Sequence, residues 1–345
     1  LKLIIQVPCL NERETLPQTL ADLPRAVDGV DEIEVLVVDD GSTDGTADRA
    51  AELGVHHIVR FPANRGLAMA FMAGLDAALR LGADVIVNTD ADNQYRGDDV
   101  ARLVEPIVEG RADVVIGDRQ TDTIQHFSWV KKVLQRWGSG IIRKLSATDV
   151  RDSPSGFRAI SRRAALRLFV HNRFTYTLET VIQAGRLGLV VHSVPIATNP
   201  HTRASRLFRG IPDYLRRAGP VMFRAYAMYQ PVQLLSRLAT LLLTVGAILG
   251  GRFFFHYLRD PGHSAYIQSL IIGTGAVILA FLVGLVAMLA ELLAANRRLL
   301  EEVLLRVRRV DATLAADRAE DGVEGVLSTG APAWRRRREE QRGAA

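Results

Sequence analysis

The apolar positions follow two different patterns, and the change comes near residue 200. Up to that point, short β-branched runs bounded by turn residues alternate with longer segments of helical spacing. Leu1 to Val7, Glu34 to Asp39, Val55 to Val59, Asp84 to Asn88 and Asp113 to Gly117 read as strands, and Thr15 to Val27, Gly45 to Leu53 and Gly66 to Leu81 as helices. This alternation predicts an α/β domain over residues 1–210, with a mainly parallel central sheet covered on both faces. Ligands are then expected at the carboxyl ends of the strands.

After residue 231 the pattern becomes almost continuously apolar. Val232 to Phe255 and Ala265 to Ala295 are each long enough to cross a hydrocarbon core of about 30 Å. The connection between them holds the turn signal Pro261-Gly262, so residues 232–295 read as a two-helix membrane hairpin. Arginines crowd both outer flanks (Arg203 to Arg237, then Arg297 to Arg309), while only Arg252 and Arg259 lie between Arg237 and Arg297, in and beside the connection. The positive-inside rule therefore predicts a multi-pass protein of the inner cell membrane with its α/β domain in the cytoplasm. Residues 211–231 interleave arginines with Tyr214, Phe223 and Tyr226, a composition suited to amphipathic helices in the headgroup layer. Residues 296–345 read as a cytoplasmic amphipathic helix, striped by Leu299, Leu300, Val303, Leu304, Val307 and Val310, followed by a basic tail. That stripe is suited to packing on a neighbour, and a homo-oligomer is expected.

Composition narrows the possibilities further. Of 345 residues, 48% are hydrophobic and 23% charged, which excludes a disordered or collagen-like chain. Cys9 is the single cysteine, so neither a disulfide framework nor a cysteine-rich metal site is available. The net charge of +5 suits an anionic partner. Because the arginines flank the apolar spans, a membrane surface is expected rather than nucleic acid.

Candidate chemistry lies at the ends of the predicted strands. Asp90 and Asp92, in Asn88-Thr-Asp-Ala-Asp-Asn-Gln94, are hard carboxylates spaced to hold Mg²⁺ or Mn²⁺ while leaving positions for diphosphate oxygens, with Gln94 a further neutral donor. Asp39 or Asp40, after the second strand, can accept hydrogen bonds from a base or ribose. Gly41 permits a tight turn, and Ser42, Thr43 or Asp44 can cap the next helix. His56 and His57 show no metal-ligand spacing, and Cys9 has no partner base, so all three read as structural.

In this order, Pro8-Cys-Leu-Asn-Glu12, Asp39-Asp-Gly-Ser-Thr-Asp-Gly-Thr46, Asn64-Arg-Gly66 and Asp90-Ala-Asp92 resemble an inverting family 2 glycosyltransferase with a GT-A fold. The resemblance covers about the first 210 residues. Asp152-Ser-Pro-Ser-Gly-Phe-Arg158, Glu179 and Ser205-Arg-Leu207 are most similar to the polyprenyl-phosphate and dolichyl-phosphate glycosyltransferases. It implies that Pro8, Leu10, Glu12 and Asp39 or Asp40 surround the nucleoside, that Arg65 and Gly66 approach the diphosphate, and that Asp90, Asp92 and Gln94 hold the metal. Arg119, Lys131, Lys132, Arg136, Arg203, Ser205 and Arg206 are implied around the acceptor phosphate. Asp152 is implied near the sugar, as a polar contact or base, or else as the cap of the turn before Pro154. Glu179 is either a contact for sugar hydroxyls or a helix-surface residue. Gly117-Asp118-Arg119 departs from the common Gly-Ser-Arg form.

The expected activity is inverting transfer of a single sugar from a UDP- or GDP-hexose to polyprenyl phosphate at the cytoplasmic membrane face. A processive polysaccharide synthase is the enzymatic alternative, but Val133 stands where its Gln-x-x-Arg-Trp motif needs glutamine. A dinucleotide oxidoreductase lacks its Gly-x-Gly-x-x-Gly loop. A non-catalytic membrane scaffold or flippase partner would not need the Asp90/Asp92 pair.

Overall fold

A computed structural model describes residues 1–120, 143, 146, 148–170, 176–199, 231–259 and 266–320. They group into two compact units, one within Leu1–Leu207 and Leu305–Ala345, the other within Phe208–Leu304.

The first unit is built on a seven-stranded sheet of β1 (Lys2–Cys9), β2 (Glu32–Asp39), β3 (His57–Arg60), β4 (Val85–Asn88), β5 (Val114–Asp118), β6 (Arg158–Ser161) and β7 (Val191–Pro195). The order is β3-β2-β1-β4-β6-β5-β7. β1 pairs in parallel with β2 and β4, β2 with β3, and β5 with β7. β6 runs antiparallel to both neighbours, β4 and β5. Because it runs backwards, its first residue, not its last, lies at the edge where β1, β2, β4 and β5 end. The segment leading into β6 therefore joins the other edge loops.

Helices α1 (Leu16–Asp22), α2 (Thr46–Glu52), α3 (Leu67–Arg80), α4 (Asp99–Val108), α5 (Arg162–Arg167) and α6 (Thr177–Arg186) accompany the sheet. Leu3 and Ile5 of β1 pack with Val85, Val87, Leu103 and Phe157 in one buried cluster. Val7 and Cys9 pack with Leu16, Val37 and Ala50 in another. Apolar burial in β-branched runs thus fixes the central strands, as the sequence pattern requires. α1 stops well before the expected Val27. Its C-cap, Leu23, is extended at ψ 140°, the conformation imposed on a residue preceding proline, here Pro24. The two histidines bind neighbouring groups of the sheet: His56 Nδ1 accepts the Val35 N–H at 3.1 Å and His57 Nε2 lies 3.0 Å from Glu34.

The second unit contains α7 (Pro231–Arg259), and α8 runs from Ile267 to Glu320. Both helices are long and apolar enough to cross a membrane; their most apolar windows of 18 residues have mean hydropathies of 1.8 and 2.7. Large apolar side chains such as Leu241, Ile248, Ile271 and Phe281 are exposed along them. Hydrocarbon is the solvent in which that exposure carries no penalty.

The final turns of α8 belong to the first unit, where they pack against α3 and the end of α5. Leu305, Arg308 and Ala312 are buried. Arg308 lies 3.0 Å from Asp76, donates to the Leu168 carbonyl at 2.6 Å and stands over the Phe169 ring. Arg80 binds Asp311 at 2.8 Å.

Candidate active site

The loops after β1 and β2 are laced together by side chains acting as caps for each other's backbone. The Asn11 N–H donates to Ser42 Oγ and the Asn11 side-chain oxygen accepts from the Thr43 N–H, both at 2.9 Å. The Glu12 N–H donates to Thr46 Oγ1 at 2.9 Å, and the Glu12 carboxylate accepts from Thr15 at 2.6 Å. Pro8 lies in β1, and Leu10 and Glu12 follow it at this edge. None of the three expected caps is the N-cap of α2, which is Gly45 in the left-handed conformation at φ +85°; Asp44, one residue before it, accepts the Thr46 N–H at 3.0 Å.

Asp39 and Asp40 are separated by their partners. Asp40 accepts the backbone N–H groups of Arg65 at 2.7 Å and Gly66 at 2.9 Å, which ties the β2 loop to the N-terminus of α3. Gly41 makes this approach possible: its φ is +75°, and a Cβ there would lie 2.4 Å from the Ala63 carbonyl carbon. Burial raises the Asp40 pKa against these two donors. Asp39 is fully buried; its Oδ1 accepts from Ser42 N–H at 2.9 Å, while Oδ2 has no hydrogen-bond donor and only Arg60 at 3.6 Å. Asp39 is thus the member of the pair that keeps a buried carboxylate oxygen without a hydrogen-bond donor. Since the amides of Arg65 and Gly66 are engaged by Asp40, the exposed Arg65 guanidinium, 5.3 Å over the Phe61 ring, is the group left to reach a diphosphate.

Asp90 and Asp92 follow β4. The Asp92 carboxylate accepts the Gln94 N–H at 3.1 Å, and the Gln94 carbonyl accepts from Asn199 at 2.9 Å. Asp90 lies directly over Gly156, where a Cβ would come within 2.9 Å of its Oδ1 and 3.1 Å of the Tyr176 hydroxyl. Beneath it runs a buried polar network. Gln6 donates to Asn88 at 2.8 Å, and Asn88 donates to the Gly156 carbonyl at 2.9 Å and to the Tyr176 hydroxyl at 2.8 Å. These residues escaped the sequence reading, although a fully buried glutamine inside Leu-Ile-Ile-Gln-Val and an asparagine closing Val-Ile-Val-Asn are the signals that mark them. Gly156→Ala is expected to preserve the fold, because the carboxylate can move, and to lower activity about 10²-fold by displacing it. Steady-state rates with an unchanged melting temperature would establish this; full activity would remove the positional role of Gly156.

Arg119 follows β5 and forms a bidentate pair with Asp152, Nε to Oδ2 at 2.7 Å and Nη2 to Oδ1 at 2.9 Å, while its backbone N–H reaches the same carboxylate at 3.2 Å. Burial works against the guanidinium charge, but the Asp152 bonds outweigh it and raise the Arg119 pKa. Asp152 is 1% exposed. Asp118 has a local explanation: it accepts the Gln120 N–H at 2.9 Å and closes the turn after Arg119. Arg158 is fully buried without a carboxylate in its hydrogen-bond set; it binds the carbonyls of Ser153, Ser155 and Thr177 and the Thr180 hydroxyl. It thereby joins the Asp152-to-Gly156 loop to α6, whose first turn holds the buried Glu179. Lys131, Lys132, Arg136, Arg203, Ser205 and Arg206 lie outside the described residues, as does the expected interfacial segment up to residue 230.

A divalent cation is compatible with the acidic pair. Among the described residues no cluster of three or more His, Cys, Asp or Glu could hold one, so Asp90 and Asp92 would provide the anionic ligands and substrate oxygens the remainder. Burial and then the charge of Asp92 push the Asp90 pKa up to about 6, against the pull of Arg119 and Arg158. A carboxyl whose folded-state pKa is raised stabilises the fold when protonated, and that contribution falls as pH rises from about 4 through about 6. A cation held by the ionised pair reverses this loss. Mn²⁺ is therefore expected to raise the melting temperature more at about pH 7 than at about pH 5. Equal shifts at the two pH values, or an undiminished shift in Asp90→Asn, would rule out this site.

Comparison with known proteins agrees with this arrangement. The model of the family described as glycosyl transferase family 2 matches residues 4–169. The chain is 34% identical over 206 residues to the undecaprenyl-phosphate mannosyltransferase of Micrococcus luteus, covering 57% of this chain and 83% of that protein. It is 30% identical over 204 residues to the polyprenol monophosphomannose synthase of Mycolicibacterium smegmatis, covering 56% and 76% respectively. Among solved structures, the glucosyl-3-phosphoglycerate synthase of Mycobacterium tuberculosis in complex with phosphoglyceric acid shares the fold, with a TM-score of 0.50 and 23% identity over 66% of this chain and 78% of that one. Similarity of this extent over most of those relatives' length means that this chain belongs to glycosyl transferase family 2, in the polyprenyl-phosphate glycosyltransferase subgroup.

Proposed function

We propose that this enzyme transfers one sugar from a UDP- or GDP-hexose to polyprenyl phosphate at the cytoplasmic face of a cell membrane, inverting the anomeric carbon. The observation that carries the proposal is the placement of Arg119, held in a bidentate pair by Asp152, close enough to Asp90 for their two charges to act on one another. That neighbourhood suits a phosphate nucleophile beside a departing diphosphate. The relatives named as an undecaprenyl-phosphate mannosyltransferase and a polyprenol monophosphomannose synthase support the same acceptor class, and α7 and α8 give the chain the means to meet it.

The acceptor phosphate is already anionic near neutral pH, so its oxygen attacks without a strong base. Arg119, with two of its donors held by Asp152, presents its remaining N–H groups to that phosphate in a fixed orientation. Asp152 in this reading orients Arg119, and its bidentate engagement favours that role over proton transfer. Asp39 Oδ2 accepts a hydroxyl or base N–H of the nucleoside, beside the loop of Pro8, Leu10 and Glu12, and the Arg65 guanidinium faces the diphosphate. Asp90 and Asp92, with Gln94 adjoining, would hold Mg²⁺ or Mn²⁺, which would supply neutralisation of the charge on the leaving nucleoside diphosphate. Lys131, Arg136, Arg203, Ser205 and Arg206 complete the proposed acceptor site.

Incubating purified protein with polyprenyl phosphate, Mg²⁺ or Mn²⁺ and a panel of uridine and guanosine diphosphate sugars tests the reading by mass spectrometry of the lipid. The expected result is a gain of one hexose or N-acetylhexosamine residue. Folded protein that gives no glycolipid with any donor, beside a working control enzyme, would overturn it; addition of many residues per lipid would favour the processive alternative.

A further inference from the structure

We infer that the last turns of α8 form a parallel seam with the same segment of further copies of this chain, holding the enzyme as a self-assembled bundle. Leu300, Val303, Val307, Val310 and Leu314 recur at alternating spacings of three and four residues and are all between 50% and 69% exposed. That spacing averages 3.5 residues, the signature of a supercoiled helix seam in which these are the a and d positions.

The opposite face of the same helix is already occupied. Leu305, Arg308 and Ala312 are buried against the α/β unit, and on this heptad they are the f, b and f positions. Those positions point away from a helical partner. Docking on the catalytic unit thus leaves the seam open, and copies can join through it with their catalytic units outward.

The flanking residues match a second copy better than any other occupant. In a parallel pair each g position faces the e position five residues later on its partner. Leu299 then meets Leu304, and Arg306 meets Asp311, which lies half-exposed beside Arg80. Apolar faces apolar and cation faces anion. Parallel pairing also follows from membrane anchoring, because copies inserted in one sense align α8 in one sense. β-Branched valine at both d positions with leucine at two of the three a positions favours assemblies larger than a dimer.

Single cysteines test the seam in full-length protein in native membranes, since the one native cysteine, Cys9, is buried. Under mild oxidation, Val303→Cys and Val310→Cys are expected to form disulfide-linked dimers, whereas Glu302→Cys and Arg309→Cys, at outward c positions, are not. Adding Val307→Glu to Val310→Cys is expected to abolish the crosslink. Absence of crosslinking at Val303 and Val310, crosslinking equal at seam and outward positions, or a crosslink indifferent to Val307→Glu would overturn the inference. Protection of the Val303→Cys thiol from a water-soluble maleimide that persists when Val307→Glu is added, where the seam is broken, would assign the stripe to the lipid surface instead.

Discussion

Asp92→Asn is expected to leave the fold and membrane insertion intact and to lower sugar transfer by about 10²–10³-fold. The side chain is half-buried, and its carboxylate takes the N–H of Gln94 at 3.1 Å, a bond that the asparagine oxygen can reproduce. Volume and local turn are therefore conserved while one negative charge is removed from the pair that would hold the cation. The charge of Asp92 also raises the Asp90 pKa, so the substitution is expected to lower it from about 6. Initial rates over a series of Mn²⁺ concentrations provide the measurement. A wild-type rate for Asp92→Asn at limiting Mn²⁺ would defeat the metal role; a rate restored only at high Mn²⁺ would support it.

Arg119→Ala is expected to reduce both activity and stability, and the two losses separate by variant. Removing the guanidinium strands the buried Asp152 carboxylate, which costs about 3 kcal/mol and lowers the melting temperature by roughly 6–12 °C. Arg119→Lys keeps a cation beside Asp152 and is expected to regain most of that stability. It cannot regain the two-pronged geometry, so its transfer rate should stay about 10²-fold below wild type, with the KM for polyprenyl phosphate raised more than that for the donor. If Arg119→Lys matches wild type in rate and acceptor KM, the pair has a structural role alone.

The first five strands were legible in the sequence because each combines a β-branched run with a turn residue at its end, and each lies within two residues of its expected bounds. The loops that end them followed, since Asp40, Asp90 and Asp92 stand where a polar residue closes an apolar strand. β6 and β7 escaped notice: β6 is four residues long and includes the fully buried Arg158, and β7 alternates at a partly exposed edge. The division of labour between Asp39 and Asp40 was likewise invisible, because it depends on the backbone of Arg65 and Gly66 some 25 residues later. The Arg119–Asp152 pair spans 33 residues and needed the reversed direction of β6 to bring its members together.

That reversal has an evolutionary consequence. β5 leaves the sheet toward the active-site edge and β6 re-enters from it as an immediate neighbour, with Ile116 opposite Arg158. The chain between them leaves from that edge and returns to it with Asp152 and Gly156, so a change in its length re-registers no strand, and the entropic penalty of a longer loop grows only logarithmically. The loops after β1 and β2, by contrast, are laced to one another and to the start of α3. Descendants of such a chain can vary the length that precedes Asp152 while inheriting those laced loops and the Asp152-to-Gly156 turn unchanged.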